Sequence, residues 1–317
     1  VSGVIDPAYQ LYLAYGVMFG LAGQGCLVAP GMANIARFFT RRRGMAVGIV
    51  ASGQSLAGIL WPPVFGIVMA DHGWREMFFY FGIFAFCTLV PLAWLVRHKP
   101  QPAPGKEAPG RAAPVQPAVA RLSPARVQWT LCAAIVGCCV AMALPLAHIV
   151  AHVTDLNFSV ADGTQVLAAM LIAAFVSRCI FVGLLSDSFG GLTALFAFSL
   201  VQAVTLATFT VVDGLTALYL TAILFGIGYG GIFPVYAVAI REHIPLHQVG
   251  RRTGMVFLFG ASAMGLGSWM GGYLFDLTGG YALPFLIGVA FNIFNLIVVG
   301  VLIARTGGVG RPSVVPG

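Results

Sequence analysis

Nine stretches of this sequence are apolar over a length that can cross a bilayer as a helix. A membrane has a hydrocarbon core of about 30 Å, which a helix of about 20 apolar residues spans. The stretches cover residues 11–38, 44–70, 75–97, 127–151, 164–185, 192–212, 215–240, 253–275 and 281–304. Only 9% of the residues are charged, which is too few to coat a soluble protein. The sequence therefore predicts an all-α integral membrane protein.

One polar segment divides the nine predicted spans into a group of three and a group of six. Residues 99–125 contain seven prolines together with alanine, glutamine and charged residues. Such a composition buries little apolar surface and favours an extended linker. We expect residues 1–98 to be the remainder of an N-terminal helical lobe and residues 126–306 to be a C-terminal six-helix lobe. Residues 307–317 would form a tail.

The beginning of the chain resembles its end, whereas the three spans between have no counterpart upstream. Both copies contain the same features in the same order. In the first copy these are Phe19-Gly20, the basic run Arg41 to Arg43, Gly44-Met45 and Asp71. In the second copy they are Phe225-Gly226, Arg251-Arg252, Gly254-Met255 and Asp276. A duplicated protein with this arrangement lacks its first unit of three spans. We therefore expect three further helices upstream of residue 1.

The net charge of +7 does not indicate nucleic-acid binding, because the cationic side chains gather on one side of the predicted membrane. That side holds 15 of the 17 lysines and arginines, while Arg75 lies on the other side and Arg178 within a span. Cytoplasmic loops carry an excess of Lys and Arg, so this side and the C-terminus are predicted to be cytoplasmic. Nine spans would then place residue 1 outside, which again indicates three upstream helices. The usage of Ala, Gly and Arg favours a bacterial cytoplasmic membrane.

Several motifs carry a resemblance to a known family. Residues 183–191, Gly-Leu-Leu-Ser-Asp-Ser-Phe-Gly-Gly, resemble the cytoplasmic loop signature of the major facilitator superfamily. Features similar to its monocarboxylate-transporter-like branch are residues 51–66, 71–75 and 275–281, His148 and Arg178. The resemblance implies a major facilitator fold with nine of its twelve transmembrane helices present. Its two lobes would rock about a central site.

The chain departs from the family pattern in two places. Ser188, Leu192 and Thr193 stand where the loop signature usually has basic residues. Trp61 stands where a glycine would precede the proline of the antiporter motif. The resemblance therefore does not imply antiport.

Arg178 is the leading candidate for substrate binding. It lies nine residues before Asp187, which places it roughly 13 Å of helix from the membrane surface. A charge at that depth is costly, and the predicted spans offer no acidic residue at similar depth. A guanidinium can bind both oxygens of a carboxylate. Either an anionic substrate or an acid in the missing helices would be its partner; the resemblance implies the substrate.

Two histidines are candidates for proton coupling. His148 and His152 lie four residues apart near the outer end of the fourth span, and histidine titrates near neutral pH. A hydrogen-bonded interface histidine is an equal alternative. His243 and His247 repeat the spacing, which raises the possibility of a metalloenzyme. The two pairs fall on opposite membrane faces, so no metal centre, cofactor or catalytic residue is expected.

The remaining candidates are gating and cavity-lining residues. We expect Asp187 to pair with the start of the eighth span at Arg251 and Arg252 when the cavity faces outward. Other polar residues within spans would line the cavity or join helices. Gln54, Tyr229 and Tyr236 are favoured for substrate binding. The tyrosines are favoured because the resemblance places their span at the cavity. It places the spans that contain Gln202, Asn292 and Asn295 towards lipid.

The function predicted from these observations is secondary active transport of a small organic anion, such as a monocarboxylate, by alternating access. The chain has no Gly-x-x-x-x-Gly-Lys-Ser/Thr sequence for nucleotide phosphates. Protons are the candidate coupling ion. The alternative is a truncated, non-transporting membrane protein that acts as a receptor, scaffold or assembly partner. We expect residues 1–317 alone not to transport.

Overall fold

The computed structural model describes residue 35 and residues 42–95, 123–245 and 248–306, and within these ranges it contains helices and no strand. The helices are α1 (Arg43–Leu95), α2 (Pro124–Asp155), α3 (Val160–Val176), a π-helical turn (Ser177–Phe181), α4 (Val182–Phe189), α5 (Gly191–Thr208), α6 (Leu215–His243), α7 (Val249–Thr278) and α8 (Ala282–Thr306). Seven helical segments in the described ranges are long and apolar enough to cross a membrane. In one of them α3, the π-helical turn and α4 follow one another without a break.

Helix α1 contains two predicted spans and reverses direction between them. Its 53 residues would extend to about 80 Å as one straight helix, far more than one bilayer crossing. The break is at Gly73, whose φ of 79° and ψ of 167° are non-helical and which has no Cβ to oppose a positive φ. Trp61 then packs against Phe81 and Phe84, with ring centroids 4.8 and 5.2 Å apart. The two halves of α1 therefore form an antiparallel hairpin.

Each predicted span from 44–70 onward corresponds to a described helix, or to one half of α1, with ends that differ by up to four residues, which confirms the all-helical membrane fold. Residues 96–97 of the span 75–97 lie outside the described residues. The first predicted span, residues 11–38, lies outside the described residues apart from Ile35. So does the predicted linker, except for its last three residues. Its boundaries stay a prediction. We use "N-terminal lobe" for α1 and "C-terminal lobe" for α2 to α8.

Local sequence signals explain where several helices begin and end. Ser123 caps α2 through the Arg126 amide, with Pro124 in the first turn. Ser159 and Asp162 form a reciprocal capping box at α3. Gly279 ends α7 with a left-handed φ of 70°. These caps satisfy amides and carbonyls that the helices leave free at the membrane surfaces.

The core of the C-terminal lobe is formed by helices in close backbone contact. Gly137 of α2 lies against the Phe291 carbonyl of α8, and Gly267 of α7 lies against the Val140 carbonyl of α2. A Cβ on Gly137 would lie 2.5 Å from the Phe291 carbonyl oxygen, and a Cβ on Gly267 would lie 2.6 Å from the Val140 carbonyl oxygen. Small residues permit this packing because lipid supplies no hydrophobic force between helices.

Most charged helix ends lie on one face of the molecule, which we call the basic face. The start of α1 contacts the last turn of α4, and the start of α7 contacts the start of α2. The starts of α1, α2 and α7 and the end of α8 lie there with Arg42, Arg126, Arg251, Arg252 and Arg305. This face corresponds to the side predicted to be cytoplasmic.

Candidate functional site

Arg178 lies between the two lobes and is bonded to both of them. Its side chain is 3% exposed. Its Nε donates to the carbonyl of Gly230 in α6 at 2.9 Å. Its Nη1 donates to the carbonyl of Ala51 at 2.9 Å and to Oε1 of Gln54 at 3.2 Å, both in α1. One side chain therefore joins α1 to the C-terminal lobe within the membrane.

The π-helical turn and a proline place these contacts. The turn spans Ser177–Phe181, with the Val182 amide bonded to the Ser177 carbonyl, and such turns are frequent at functional sites. Pro234 lies inside α6 and has no amide hydrogen, so the carbonyl four residues earlier has no helical donor. That carbonyl belongs to Gly230, and Arg178 donates to it instead. Pro234 is the sequence signal for this contact and lies outside the predicted site residues.

Within the described ranges, the hydrogen-bond partners of the guanidinium include no carboxylate. All three bonds end on neutral oxygens, and the Tyr229 ring centroid lies 5.9 Å from Cζ. A guanidinium has five N–H donors, of which these bonds use three. The two donors on Nη2 have no hydrogen-bond partner in the described ranges. Nη2 can therefore donate both hydrogens to an anionic ligand.

Three of the five predicted substrate-binding residues come together here. Gln54 is bonded to Arg178, and its side chain is exposed on α1. Tyr229 is buried beneath the guanidinium. The group has a cation, an amide and a phenol, which is a combination suited to one carboxylate.

Tyr236 belongs to a different set of contacts. It is fully buried, and its hydroxyl donates to Oδ1 of Asn295 at 3.4 Å and lies 3.7 Å from the Cys138 sulfur. Buried amide side chains extend this network across α2, α5 and α8. The links are Asn295 to Asn292, Asn292 to the Ser199 carbonyl and Gln202 to the Cys138 carbonyl. The expectation that Gln202, Asn292 and Asn295 face lipid is corrected, because all three are fully buried.

The predicted proton-coupling histidines lie within the C-terminal lobe. Nε2 of His148 lies 2.8 Å from the Ser268 carbonyl of α7. His152 is buried against the rings of Tyr281 and Phe285, and its Nε2 has no hydrogen-bond partner in the described part of the chain. Burial raises the pKa of the Tyr281 hydroxyl, as do the charges of Asp155 and Asp276. This cluster joins α2, α7 and α8. Among the described residues, none of its hydrogen bonds or ring contacts involves Arg178.

Asp187 is bonded to the start of α1 and not to the start of α7. The Gly44 amide donates to Oδ1 at 2.8 Å, and the Met45 amide donates to Oδ2 at 3.3 Å. The carboxylate thus occupies the positive end of a helix dipole across the lobe boundary. The prediction that Asp187 pairs with the helix start at Arg251 and Arg252 is wrong. Gly44 and Met45 lie in the first turn of α1, where amides have no helical acceptor, whereas α7 begins at Val249 and Gly254-Met255 lie in its second turn.

The two arginines at the start of α7 have other surroundings. Arg252 donates to Oε1 of Gln248, to the Pro124 carbonyl and to Oε1 of Gln128. Arg251 is exposed. Arg252 therefore ties α7 to α2 inside the C-terminal lobe.

The lobes meet at the basic face through glycines. A Cβ on Gly44 would overlap Oγ of Ser186, and one on Gly48 would overlap the Arg178 carbonyl. A Cβ on Gly183 would lie 2.9 Å from that of Met45. The four-residue spacing of Gly44 and Gly48 is the sequence signal for this contact, and neither residue is among the predicted site residues.

Comparison with known proteins agrees with this architecture. The profile of the Major Facilitator Superfamily matches residues 2–267 and 180–313. Monocarboxylate transporter 13 of Rattus norvegicus is 26% identical over 284 residues, which cover 89% of this chain and 64% of the relative. The MFS-type transporter pynF of Aspergillus niger is 27% identical over 82% of this chain and 58% of its own length. The uncharacterized MFS-type transporter YcxA of Bacillus subtilis is 25% identical over 90% and 71%. The chain therefore spans less than two thirds of the first two relatives.

Proposed function

The chain belongs to the Major Facilitator Superfamily, and we propose that it is the greater part of a secondary transporter for a small organic anion. The observation that carries this proposal is Arg178. It is a buried cation between the two lobes, whose hydrogen-bond partners among the described residues are neutral and leave two N–H donors unused. Binding an anion would balance a charge that is costly at this depth.

The proposed substrate class is a monocarboxylate. Arg178 lies well inside a predicted span, whereas the other described lysines and arginines lie near helix ends or in turns. One cation is balanced by one carboxylate, and a second carboxylate would be left unpaired in a low-dielectric site. The Gln54 amide and the Tyr229 hydroxyl would contact the uncharged part of the substrate. The similarity to a protein named monocarboxylate transporter 13 supports the same class.

The test is uptake of labelled anions by membrane vesicles from cells that express the gene encoding this chain. We expect uptake of short monocarboxylates, with little uptake of the matching amides or of dicarboxylates. Liposomes containing only residues 1–317 provide the comparison, and there we expect no uptake. Preferred uptake of the amides would refute the proposed substrate class. Uptake of no compound by a folded product would favour a non-transporting role.

Alternating access would break the bonds that join the lobes at the basic face. In the described state Asp187 holds the start of α1 and Arg178 holds Ala51 and Gln54. Both contacts lie on the route along which the lobes would separate. We infer that the state described is closed at the basic face.

Replacing Asp187 by asparagine should shift the equilibrium towards a state open at the basic face. An anion at a helix N-terminus contributes about 1 kcal/mol, so the open population should rise roughly fivefold. The measurement is the rate at which an impermeant maleimide labels Ser186→Cys, a position buried in the closed state. The matched control is Asp213→Asn, an acidic residue in the turn before α6. Unchanged labelling in the Asp187 variant would contradict the gating role.

We propose that His148 couples protons to transport, supported by its position near the outer end of α2. Its Nε2–H donates to the Ser268 carbonyl. Uptake should be faster with an inward proton gradient than at equal pH on both sides, and His148→Gln should remove this dependence. His72→Gln, in the α1 turn region, is the control. An unaltered dependence on the proton gradient in His148→Gln would exclude His148 as the coupling residue.

A further inference from the structure

A groove lies at the basic face between the start of α2 and the end of α8. Its volume is about 360 Å³, and its lining includes Arg126, Trp129, Val301, Leu302 and Arg305. It is separate from the Arg178 group, whose partners lie in α1 and α6. The transport proposal makes no use of it.

The charged part of the groove is purely cationic. Arg126 and Arg305 are both exposed, and no carboxylate is among the residues that line the groove. In the described ranges neither guanidinium has a hydrogen-bond or ion-pair partner. Arg252, by contrast, is held by three acceptors nearby. The two free arginines therefore attract an anion from outside the described chain.

The apolar part of the groove lies deeper than the charges. Arg126 precedes Trp129 by three residues at the start of α2, and Arg305 follows Val301 by four residues at the end of α8. The rise of a helix places both cations roughly 5 Å nearer the membrane surface than the apolar side chains. Trp129 is 54% exposed and is held edge-on by Phe259 at 5.9 Å, and Val301 is 45% exposed. Tryptophan at this level is typical of the membrane interface.

We propose that this groove binds an anionic phospholipid. The phosphate would lie between Arg126 and Arg305, and an acyl chain would run along the exposed side chains of Trp129 and Val301. A basic pocket between helix ends on this side of a membrane is suited to an acidic headgroup. The order of charge above apolar surface matches a phospholipid, whereas a soluble phosphate would leave the apolar wall uncovered.

Trp129 provides a direct test by fluorescence quenching. The chain has five tryptophans, and replacing the other four by phenylalanine leaves Trp129 as the only reporter. This variant of the full chain is reconstituted in equal mixtures of phosphatidylglycerol and phosphatidylcholine, with bromine on one lipid or the other. We expect brominated phosphatidylglycerol to be preferred about fivefold or more at low salt, and less so in 0.5 M NaCl.

Charge variants separate a specific site from general attraction. Arg126→Gln with Arg305→Gln should reduce the preference to about one. Lysine at both positions should keep it within about twofold, which shows that the fold is retained. Arg251→Gln removes an exposed cation from the same face outside the groove and should leave the preference unchanged.

Three results would overturn the proposal. Equal quenching by the two brominated lipids is the result expected if residues 307–317 fill the groove instead. A preference that persists in the double glutamine variant would place the anion elsewhere. Relief of quenching by glycerol 3-phosphate would show a site for soluble phosphate.

Discussion

Replacing Arg178 by glutamine should reduce monocarboxylate uptake at least 100-fold. Glutamine keeps an amide donor but removes the charge and the two N–H donors of Nη2, which have no partner among the described residues. A hydrogen bond to a charged group contributes about 1.5–3 kcal/mol, so the loss of two corresponds to at least about 3 kcal/mol. We expect the loss in binding of the carboxylate as well as in uptake.

Arg178→Lys separates charge from geometry. Lysine is a compact point charge and cannot present two parallel N–H groups to a carboxylate. We expect it to retain about a tenth of the uptake. Arg75→Gln is the matched control, since Arg75 is the cation at the opposite face, where it lies 4.4 Å above the Trp74 ring. Its uptake should remain near that of the unaltered protein.

Thermal unfolding in detergent distinguishes a binding role for Arg178 from a purely structural one. A buried cation without a carboxylate partner is costly, so Arg178→Gln should unfold at the same temperature as the unaltered protein or higher. Uptake above a third of the original level in Arg178→Gln would refute the binding role. A large fall in unfolding temperature together with lost uptake would indicate that Arg178 mainly joins the lobes.

The transmembrane helices and the position of Arg178 within one of them could be predicted because both follow from the runs of apolar residues in the sequence. A run of about 20 apolar residues is sufficient to predict a span, and the spans from 44–70 onward correspond to described helices. Arg178 stood out because it is a charge far from either end of its span. Gln54 and Tyr229 were predicted on weaker grounds, as polar residues in apolar helices, and the structure brings them to Arg178.

The direction in which each side chain points could not be predicted. In water an amphipathic helix shows its buried face by an apolar stripe, but in lipid both faces are apolar. Tyr229 and Tyr236 lie in the same helix, yet one lies beneath Arg178 and the other is bonded to Asn295. The resemblance placed the helices of Gln202, Asn292 and Asn295 towards lipid as wholes, but one face of each helix packs inside the lobe and carries these amides.

The partner of Asp187 could not be predicted because the repeated Gly-Met motif does not show where each helix begins. Residues 44–45 and 254–255 are both Gly-Met and follow nearby arginines. In the structure α1 begins at Arg43 and packs against α4, whereas α7 begins at Val249, five residues before its Gly-Met pair. The Ala51 carbonyl that Arg178 binds is a backbone group that no residue type identifies, whereas the free Gly230 carbonyl is signalled by Pro234 four residues later.

The second large effect concerns Gly48, where even alanine should open the lobes at the basic face. A Cβ at this position would overlap the carbonyl oxygen of Arg178, and Cβ of Val182 would lie only 3.2 Å away. A backbone carbonyl in a helix cannot rotate aside as a flexible side chain does. Helix α1 must therefore move away from the π-helical turn, which also lengthens the bonds from Arg178 to Ala51 and Gln54.

Labelling of Ser186→Cys by an impermeant maleimide, with the six native cysteines replaced by alanine, measures this opening. We expect Gly48→Ala to label several times faster than the parent and Gly48→Leu at least tenfold faster. Gly66→Leu is the matched control, because a Cβ at Gly66 meets nothing within 4 Å although it lies in the same helix. Equal labelling in Gly48→Leu and Gly66→Leu would show that the lobes do not separate at this contact. Faster labelling in the Gly48 variants alone would place a steric determinant of closure at one glycine, next to the arginine that is proposed to bind the substrate.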